Sequence, residues 1–133
     1  MDSRNVRTGA EHQGVRRARE LLHERFAEPI TLGELASYAG LSPYYFLRAF
    51  RATVGMTPHA YLNQIRVAAA KRRLAAGGAP AEAAIACGFC DQSHMTRQFK
   101  RSAYVTPGDY QGAYLGGRRT KQAKPPAPPK ALG

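Results

Sequence analysis

An internal repeat constrains the fold of this 133-residue chain more than any other feature of its sequence. A shift of 49 residues superposes identical or similar residues: Arg48 on Arg97, Phe50 on Phe99, Arg51 on Lys100, Thr57 on Thr106, Pro58 on Pro107 and Tyr61 on Tyr110. Upstream the shift is 48 residues, with Ala36 on Ala84 and Gly40 on Gly88, so one extra residue must lie between Gly88 and Met95. Because each copy of such a repeat forms one supersecondary unit, the same unit is predicted to occur twice.

Helix-capping signals divide the repeated segment, and no alternating run of useful length predicts a strand. Thr31 and Glu34 have the spacing of a capping box, and Gly40 supplies a left-handed helix end. Ser42 followed by Pro43 is typical of a helix start. The predicted helices cover about residues 15–27, 32–39, 43–54, 58–76, 80–88 and 92–103, with a last helix that begins at Thr106-Pro107.

The predicted fold is therefore all-α, with two three-helix helix-turn-helix subdomains joined by a long linker helix, about seven helices in total. The first subdomain is expected at residues 15–57, the linker helix at 58–76 and the second subdomain at 77–115. The polar, Gly-containing residues 1–14 are expected to form a disordered arm. The Gly-, Pro- and Lys-rich residues 116–133 are expected to form a disordered basic tail.

The repeated pattern is that of a helix-turn-helix unit, a short helix followed by a Gly-containing turn and a second capped helix. Ala36 and Ala84 lie four residues before the turn glycines, where a small side chain lets two helices pack closely. Any helical bundle contains helix pairs joined by turns, so one such unit would carry little weight. Two matched copies in a strongly basic chain favour DNA binding.

The charge of the chain also indicates a polyanionic partner, nucleic acid first and an anionic membrane second. Twenty Lys and Arg against nine Asp and Glu give a net charge of +11, of which residues 116–133 carry +5 and residues 1–14 carry none. The remaining +6 belongs to the part expected to fold. No apolar run is long enough to span a membrane, and residues 1–14 contain no apolar stretch of a secretory signal. A cytoplasmic protein is expected.

The helical periodicity predicts which face of each second helix meets the core. In the first unit the predicted core stripe is Phe46, Ala49, Phe50 and Thr53, and in the second it is Met95, Gln98, Phe99 and Ser102. The opposite stripes are Tyr44, Leu47, Arg48 and Arg51, and Ser93, Thr96, Arg97 and Lys100. These outward stripes are the predicted DNA-facing surfaces.

Recognition helices contact base edges mainly through their N-terminal halves. The predicted base contacts are Tyr44, Leu47, Arg48, Gln92, Ser93, Thr96 and Arg97. Arginine suits guanine and glutamine suits adenine, whereas Leu47 offers only apolar contact, such as that with a thymine methyl group. Residues further along the two helices are the predicted phosphate contacts: Arg51, Lys100 and Arg101. Solvated surface arginines or helix ion pairs are the alternative for Arg48 and Arg97.

Two other functions compete with sequence-specific DNA binding. Cys87, Cys90 and His94 have the spacing of a thiol redox centre or of three zinc ligands, but no fourth ligand and no strand-helix context accompany them. Non-specific nucleic-acid binding, driven by the net charge, would depend steeply on salt and not on sequence. An enzyme is not expected, because the four histidines lie on separate predicted elements without paired carboxylates. No cofactor and no metal are expected.

The repeated motifs resemble those of a known family. GLSPYYFLRAFRATVGMTPHAYL and CGFCDQSHMTRQFKRSAYVTPGDY are similar to the two helix-turn-helix units of the AraC/XylS transcription regulators, and the similarity covers about residues 15–114. The segment from Tyr61 to Leu74 is similar to the family's connecting helix. The resemblance implies a monomeric unit whose recognition helices enter successive major grooves of promoter DNA. It also implies recruitment of RNA polymerase, and activation more often than repression.

The chain departs from the family pattern in three places. Tyr104 replaces the glycine that the first unit has at Gly55, and a tyrosine at positive φ would be strained, so that helix end is expected to close differently. Ala83 stands where the family has Ile or Leu and where the first unit has Leu35, so the second unit is expected to have a thinner core, lower stability and weaker discrimination. The chain has no room for a separate sensing domain and is expected to be a stand-alone regulator or a fragment. The two units should read different sequences.

Overall fold

The computed structural model describes the backbone of residues 3–119 and the side chains of residues 13–116. Seven helices form this part of the chain: α1 Ser3–Glu24, α2 Leu32–Ala39, α3 Pro43–Val54, α4 Pro58–Ala75, α5 Pro80–Ala86, α6 Gln92–Ala103 and α7 Pro107–Arg119. Within the same range there is no strand, and no helix is long and apolar enough to cross a membrane. The predicted all-α fold is confirmed.

The first helix is longer at its N-terminal end than the sequence indicates. It begins at Ser3 rather than at Val15. Gly14, which contributed to the prediction of a disordered arm, is a buried residue of α1, and a Cβ atom there would lie 2.7 Å from the carbonyl oxygen of Ala39. The glycine thus allows close approach of α1 and α2. The last helix likewise runs past residue 115, whereas residues 120–133 of the predicted tail lie outside the described part.

The chain divides into two compact units, residues 1–63 and 64–133. In the first unit α1 packs against α2 and α3. Its most deeply buried side chains are Val15, Ala18, Leu22, Ala36, Phe46 and Phe50. The Arg17 guanidinium donates a hydrogen bond to the carbonyl oxygen of Tyr38 at 3.0 Å and lies 5.9 Å from the centre of the Tyr38 ring. These contacts join the first two helices at their solvent-exposed edge.

In the second unit α5 packs against α6, and α6 packs against α7. Its buried side chains include Val67, Ala70, Leu74, Ala83, Ala84, Met95 and Phe99. The Gln111 side-chain amide donates to the carbonyl oxygens of Leu74 and Gly78, at 3.1 Å and 2.6 Å, and ties α7 to the end of α4. Ala83 is buried where the first unit has the larger Leu35. The lower stability of this unit stays a prediction.

The C-terminal half of α4 repeats α1, which the sequence comparison did not detect. Val15, Ala18 and Leu22 have the same identity and spacing as Val67, Ala70 and Leu74, at a shift of 52 residues, and all six are buried. Residues 58–76 are therefore more than a linker, because they also supply the first helix of the second unit. The shift of 52 was missed because the segment between α1 and α2 is longer than the one between α4 and α5.

The end of α6 contradicts one expectation. Tyr104 is left-handed, with φ 66°, and its N–H donates to the carbonyl oxygen of Lys100 at 2.9 Å. Gly55 closes α3 in the same way, with φ 93° and a 2.9 Å bond to Arg51. The second unit thus keeps the turn of the first, although a side chain in this conformation costs about 1–2 kcal/mol. The Tyr104 ring is 58% exposed, so it does not compete for space in the core.

The role of Gly14 can be tested by substitution. Gly14→Ala should lower the free energy of unfolding by about 1–3 kcal/mol, because the added methyl group meets backbone rather than a flexible side chain. Gly33→Ala is the matched control, since its Cβ atom would have only the Thr31 hydroxyl at 3.9 Å. The control should gain up to about 1 kcal/mol from helix propensity. Urea unfolding of both variants measures the difference, and equal effects would contradict the close contact.

Candidate nucleic-acid interface

The turn between α2 and α3 is set by three local interactions. Gly40 is left-handed, with φ 78°, and the N–H of Leu41 donates to the carbonyl oxygen of Ala36 at 2.9 Å. The Ser42 hydroxyl then accepts a hydrogen bond from the N–H of Tyr45 at 3.3 Å and caps α3. These bonds pair backbone groups at the end of α2 and at the start of α3, so the conformation of the turn is fixed by local contacts.

The second unit forms the same turn with different residues. Gly88 is left-handed, with φ 95°, and the N–H of Phe89 donates to the carbonyl oxygen of Ala84 at 2.9 Å. The Asp91 carboxylate takes the capping role of Ser42 and accepts from the N–H of His94 at 2.8 Å. Phe89 therefore matches Leu41 at a shift of 48, whereas Asp91 matches Ser42 at a shift of 49. The extra residue of the second copy is Cys90.

The inserted residue is held by His94. The backbone N–H of Cys90 donates to His94 Nδ1 at 3.1 Å, and the imidazole lies edge-on to the Phe89 ring at 5.4 Å. Since Nδ1 accepts this hydrogen bond, the neutral ring carries its proton on Nε2. His94 therefore has a structural role in the longer turn.

Each second helix, α3 or α6, is also anchored at its C-terminal side by an equivalent aromatic pair. The rings of Phe50 and Tyr61 are 5.7 Å apart, and those of Phe99 and Tyr110 are 5.5 Å apart, both edge to face. Burial and the neighbouring Tyr114 hydroxyl raise the pKa of Tyr110 to about 12. In both units the pair lies between the second helix and the Thr-Pro-started helix that follows, which confirms the repeat at this level.

The faces of α3 agree with the predicted orientation except at one position. Phe46, Ala49 and Phe50 are buried, as predicted, but Thr53 is exposed, because α3 ends one residue later. The outward stripe holds three exposed side chains, Tyr44, Arg48 and Arg51, and one half-buried side chain, Leu47. Leu47 is half-buried because it lines an apolar recess of about 190 Å³ whose other walls include Leu35 and Leu62.

The faces of α6 follow the same arrangement with fewer apolar residues. Met95 and Phe99 are completely buried and Gln98 is half-buried, whereas Ser102 is exposed, so the predicted core stripe is wrong at its last residue. The remaining predicted contacts lie on the accessible side: Gln92, Ser93, Arg97, Lys100 and Arg101 are exposed, and Thr96 is half-buried. One face of α6 thus presents amide, hydroxyl and guanidinium groups together.

The electrostatics of the two second helices favour an anionic partner. α3 contains Arg48 and Arg51 and no acidic residue, which gives a charge of +2. α6 contains Arg97, Lys100 and Arg101 and no acidic residue, which gives +3. Arg48 and Arg97 therefore cannot form ion pairs within their own helices. Both second helices present uncompensated positive charge on their accessible faces.

Tyr44 and Arg48 form a pair on the outward face of α3. The Arg48 guanidinium donates a hydrogen bond to the Tyr44 hydroxyl at 3.2 Å and lies 5.7 Å from the centre of its ring. This contact restricts the rotamers of a long, exposed side chain. In the second unit Ser93 and Arg97 occupy the equivalent positions. Because serine has no aromatic ring, it cannot hold Arg97 as Tyr44 holds Arg48.

The two cysteines are placed differently and are both free thiols. Cys87 is buried and Cys90 is exposed. Burial raises the pKa of the Cys87 thiol, although Arg73 and Arg72 act in the opposite direction. Within residues 13–116, whose side chains are described, no three His, Cys, Asp or Glu side chains come together as a metal site. Neither the redox nor the metal hypothesis gains support from this arrangement.

Arg66 is a residue whose environment sequence reasoning did not anticipate. It is 7% exposed in α4, and burial lowers its pKa, an effect that the nearby Cys90 thiol partly opposes. At the shift of 52 residues Arg66 matches the buried Gly14 of α1. The repeat of α1 in α4 was therefore the sequence signal that could have predicted the burial of Arg66. A buried guanidinium therefore lies close to the longer turn of the second unit.

These features define a tandem helix-turn-helix domain with two basic second helices. A match to the family described as "Helix-turn-helix domain" covers residues 35–113. The chain belongs to the AraC/XylS-type family of helix-turn-helix transcription regulators. Its relatives are transcription regulators, a class that is not enzymatic.

Individual relatives agree with this assignment. The uncharacterized HTH-type transcriptional regulator YbfI of Bacillus subtilis (strain 168) is 45% identical over 76 residues, 57% of this chain and 28% of that protein. The HTH-type transcriptional activator RhaS of Pectobacterium carotovorum subsp. carotovorum (strain PC1) is 34% identical over 101 residues, 75% of this chain and 36% of that protein. The chain thus spans about a third of the length of these relatives.

A solved structure with DNA is similar over most of the chain. The DNA-binding domain of AdpA, a global transcriptional factor crystallised in complex with a target DNA, has a TM-score of 0.75 and 27% identity to this chain. The match covers 81% of this chain and 98% of that one. The similarity therefore extends over both helix-turn-helix units.

The Tyr44–Arg48 pair can be tested with a double-mutant cycle. Tyr44→Phe removes the hydrogen bond to Arg48 but keeps the ring, and it should weaken DNA binding by about 0.5–1 kcal/mol because Arg48 is less restricted before binding. The same substitution in an Arg48→Ala background should have almost no effect. Tyr45→Phe, on an exposed neighbour in the same helix, is the control. Equal losses in both backgrounds would show that Tyr44 acts independently of Arg48.

The cysteines can be tested by thiol titration. In the folded protein Cys90 should react with an aromatic disulfide reagent, whereas Cys87 should react only after denaturation, because it is buried and its raised pKa leaves less thiolate at neutral pH. A Cys90→Ser variant should therefore be unreactive while it is folded. If both thiols of the folded protein reacted rapidly with the reagent, or if mild oxidation removed the reactivity of both, a dithiol centre would be supported instead.

Proposed function

We propose that this protein binds double-stranded DNA sequence-specifically at promoters, with α3 and α6 as recognition helices in successive major grooves. The observation that carries the proposal is the duplicated arrangement described above. Each unit has a closed turn, a second helix with a buried aromatic residue and an accessible basic face without acidic residues. A helix of this kind fits the major groove, where each base pair displays a distinct pattern of donors and acceptors.

In the first unit the reading residues are Tyr44, Leu47 and Arg48. Arg48 is suited to the O6 and N7 atoms of guanine, and its contact with Tyr44 reduces the entropy lost when it binds. Leu47 presents an apolar edge beside it and favours a thymine methyl group. Arg51 lies one turn further along the helix and contacts phosphate.

In the second unit the reading residues are polar. Gln92, at the first position of α6, is suited to adenine, and Arg97 is suited to guanine. Ser93 and Thr96 add hydroxyl groups that bond to several bases and discriminate less. Lys100 and Arg101, in the last turn, contact the phosphate backbone. The two units therefore read different sequences, and the bound site is asymmetric.

The remaining parts of the proposal concern partners and context. The protein binds its site as a monomer, because one chain supplies both recognition helices. It acts in the cytoplasm, recruits RNA polymerase and activates transcription more often than it represses it. The relative RhaS, named as a transcriptional activator, supports the sign of regulation. A promoter-reporter assay with the selected site placed at several distances upstream of the promoter measures that sign.

A selection of bound sequences from random DNA, followed by footprinting, tests the central claim. It should yield one asymmetric motif with two protected half-contacts about 34–36 Å apart along the duplex. Non-specific binding driven by charge predicts instead no enriched motif and equal retention of selected and random duplexes at moderate salt. That second outcome would overturn the proposal.

Substitution of the two equivalent arginines tests the reading faces. Arg48→Ala and Arg97→Ala should each weaken binding to the selected site by about 1–3 kcal/mol and relax the preference at one base position, a different one in each variant. Arg16→Ala removes the same charge from an exposed position of α1 and should change neither property. Retention of both affinity and preference in the two variants would show that other faces contact the DNA.

A further inference from the structure

Tyr104 is the residue of the second unit whose conformation is hardest to explain by folding alone. Of the residues from 13 to 116, it is the one with a positive φ that is not a glycine. Its equivalent in the first unit is Gly55, which makes the same backbone hydrogen bond without a side chain. The repeat thus shows that this turn forms without a side chain at this position.

Within the described part of the chain, no hydrogen bond or ring contact of the Tyr104 side chain offsets the cost of its left-handed backbone. Tyr104 is 58% exposed. Phe99 and Tyr110, aromatic residues of the same unit, pair with each other. Strained residues that persist without an internal partner are concentrated at binding sites.

The surroundings of Tyr104 indicate what such a partner would be. Lys100 and Arg101, both exposed, lie in the last turn of α6 immediately before it. Thr106 caps α7 two residues after it, with its hydroxyl accepting from the N–H of Asp109 at 3.0 Å. Tyr104 therefore follows the most basic turn of the recognition helix. A phenolic hydroxyl at such a place can donate to a phosphate oxygen, as tyrosines commonly do on nucleic-acid backbones.

We propose that the Tyr104 hydroxyl donates a hydrogen bond to a backbone phosphate of DNA at the edge of the second half-site. This inference rests on the proposed DNA binding and extends it by one contact. The contact is independent of base identity, and the first unit has no counterpart because Gly55 offers no side chain. It positions α6 on the duplex together with Lys100 and Arg101.

Two substitutions separate the hydroxyl from the strain. Tyr104→Phe removes the hydroxyl and keeps the conformation, so it should leave the melting temperature unchanged and weaken DNA binding about five- to twentyfold. Tyr104→Gly removes both, so it should raise the melting temperature and weaken binding at least as much. Tyr38→Phe removes another exposed phenol, on α2, and should change neither property.

Affinities are measured on two duplexes of equal length, one selected by the wild-type protein and one of random sequence. A phosphate contact predicts that each Tyr104 variant loses the same factor of affinity on both duplexes. If the wild-type protein bound the two duplexes equally well, sequence-specific binding would be overturned, but the proposed phosphate contact would not. The salt dependence of Tyr104→Phe should remain that of wild type, because the hydroxyl is uncharged, whereas Lys100→Ala should reduce the slope by about one. Wild-type affinity of both Tyr104 variants on both duplexes would overturn the proposed contact.

Discussion

The hydrogen bond that closes α2 in the first unit and α5 in the second sets the start of the helix that follows it. In both units an N–H after the left-handed glycine reaches the carbonyl oxygen of an alanine one turn earlier, Ala36 or Ala84. The turn after this bond leads into a side-chain cap, Ser42 in the first unit and Asp91 in the second. The second helix therefore leaves the turn in a defined direction, with its aromatic residue inside and its arginines accessible.

The two units retain this geometry while their surfaces differ. On α3 an arginine is held by a tyrosine and Leu47 lies beside an apolar recess, whereas α6 presents amide and hydroxyl groups and ends at a strained tyrosine. The second turn accommodates the additional residue Cys90, whose backbone N–H donates a hydrogen bond to His94. The turn hydrogen bonds and the aromatic pair that anchors the second helix are thus common to the two copies, whereas their exposed residues differ.

Much of the fold follows from local patterns. Thr31, Ser42 and Gly40 have the predicted capping roles, because a cap involves residues within one turn of each other. The two core stripes were right near their centres, where the helical period decides which side is buried. They were wrong at Thr53 and Ser102, because the end of a helix lies beyond the packed surface. The residues proposed to contact DNA lie on the accessible faces of α3 and α6, because the same helical period that buries one side exposes the other.

The sequence by itself determined the number and type of the elements, the duplication and the basic character of both second helices, since these depend on near neighbours and composition. Only the tertiary structure revealed that Gly14 is a contact between helices, that α4 serves as the first helix of the second unit and that Tyr104 accepts a left-handed turn. The first two depend on packing between segments far apart in the chain, whereas the third is a local turn closed by the hydrogen bond from Tyr104 to Lys100. Local propensity cannot report such packing, because packing involves distant residues and the folded backbone can override the conformation that a residue prefers.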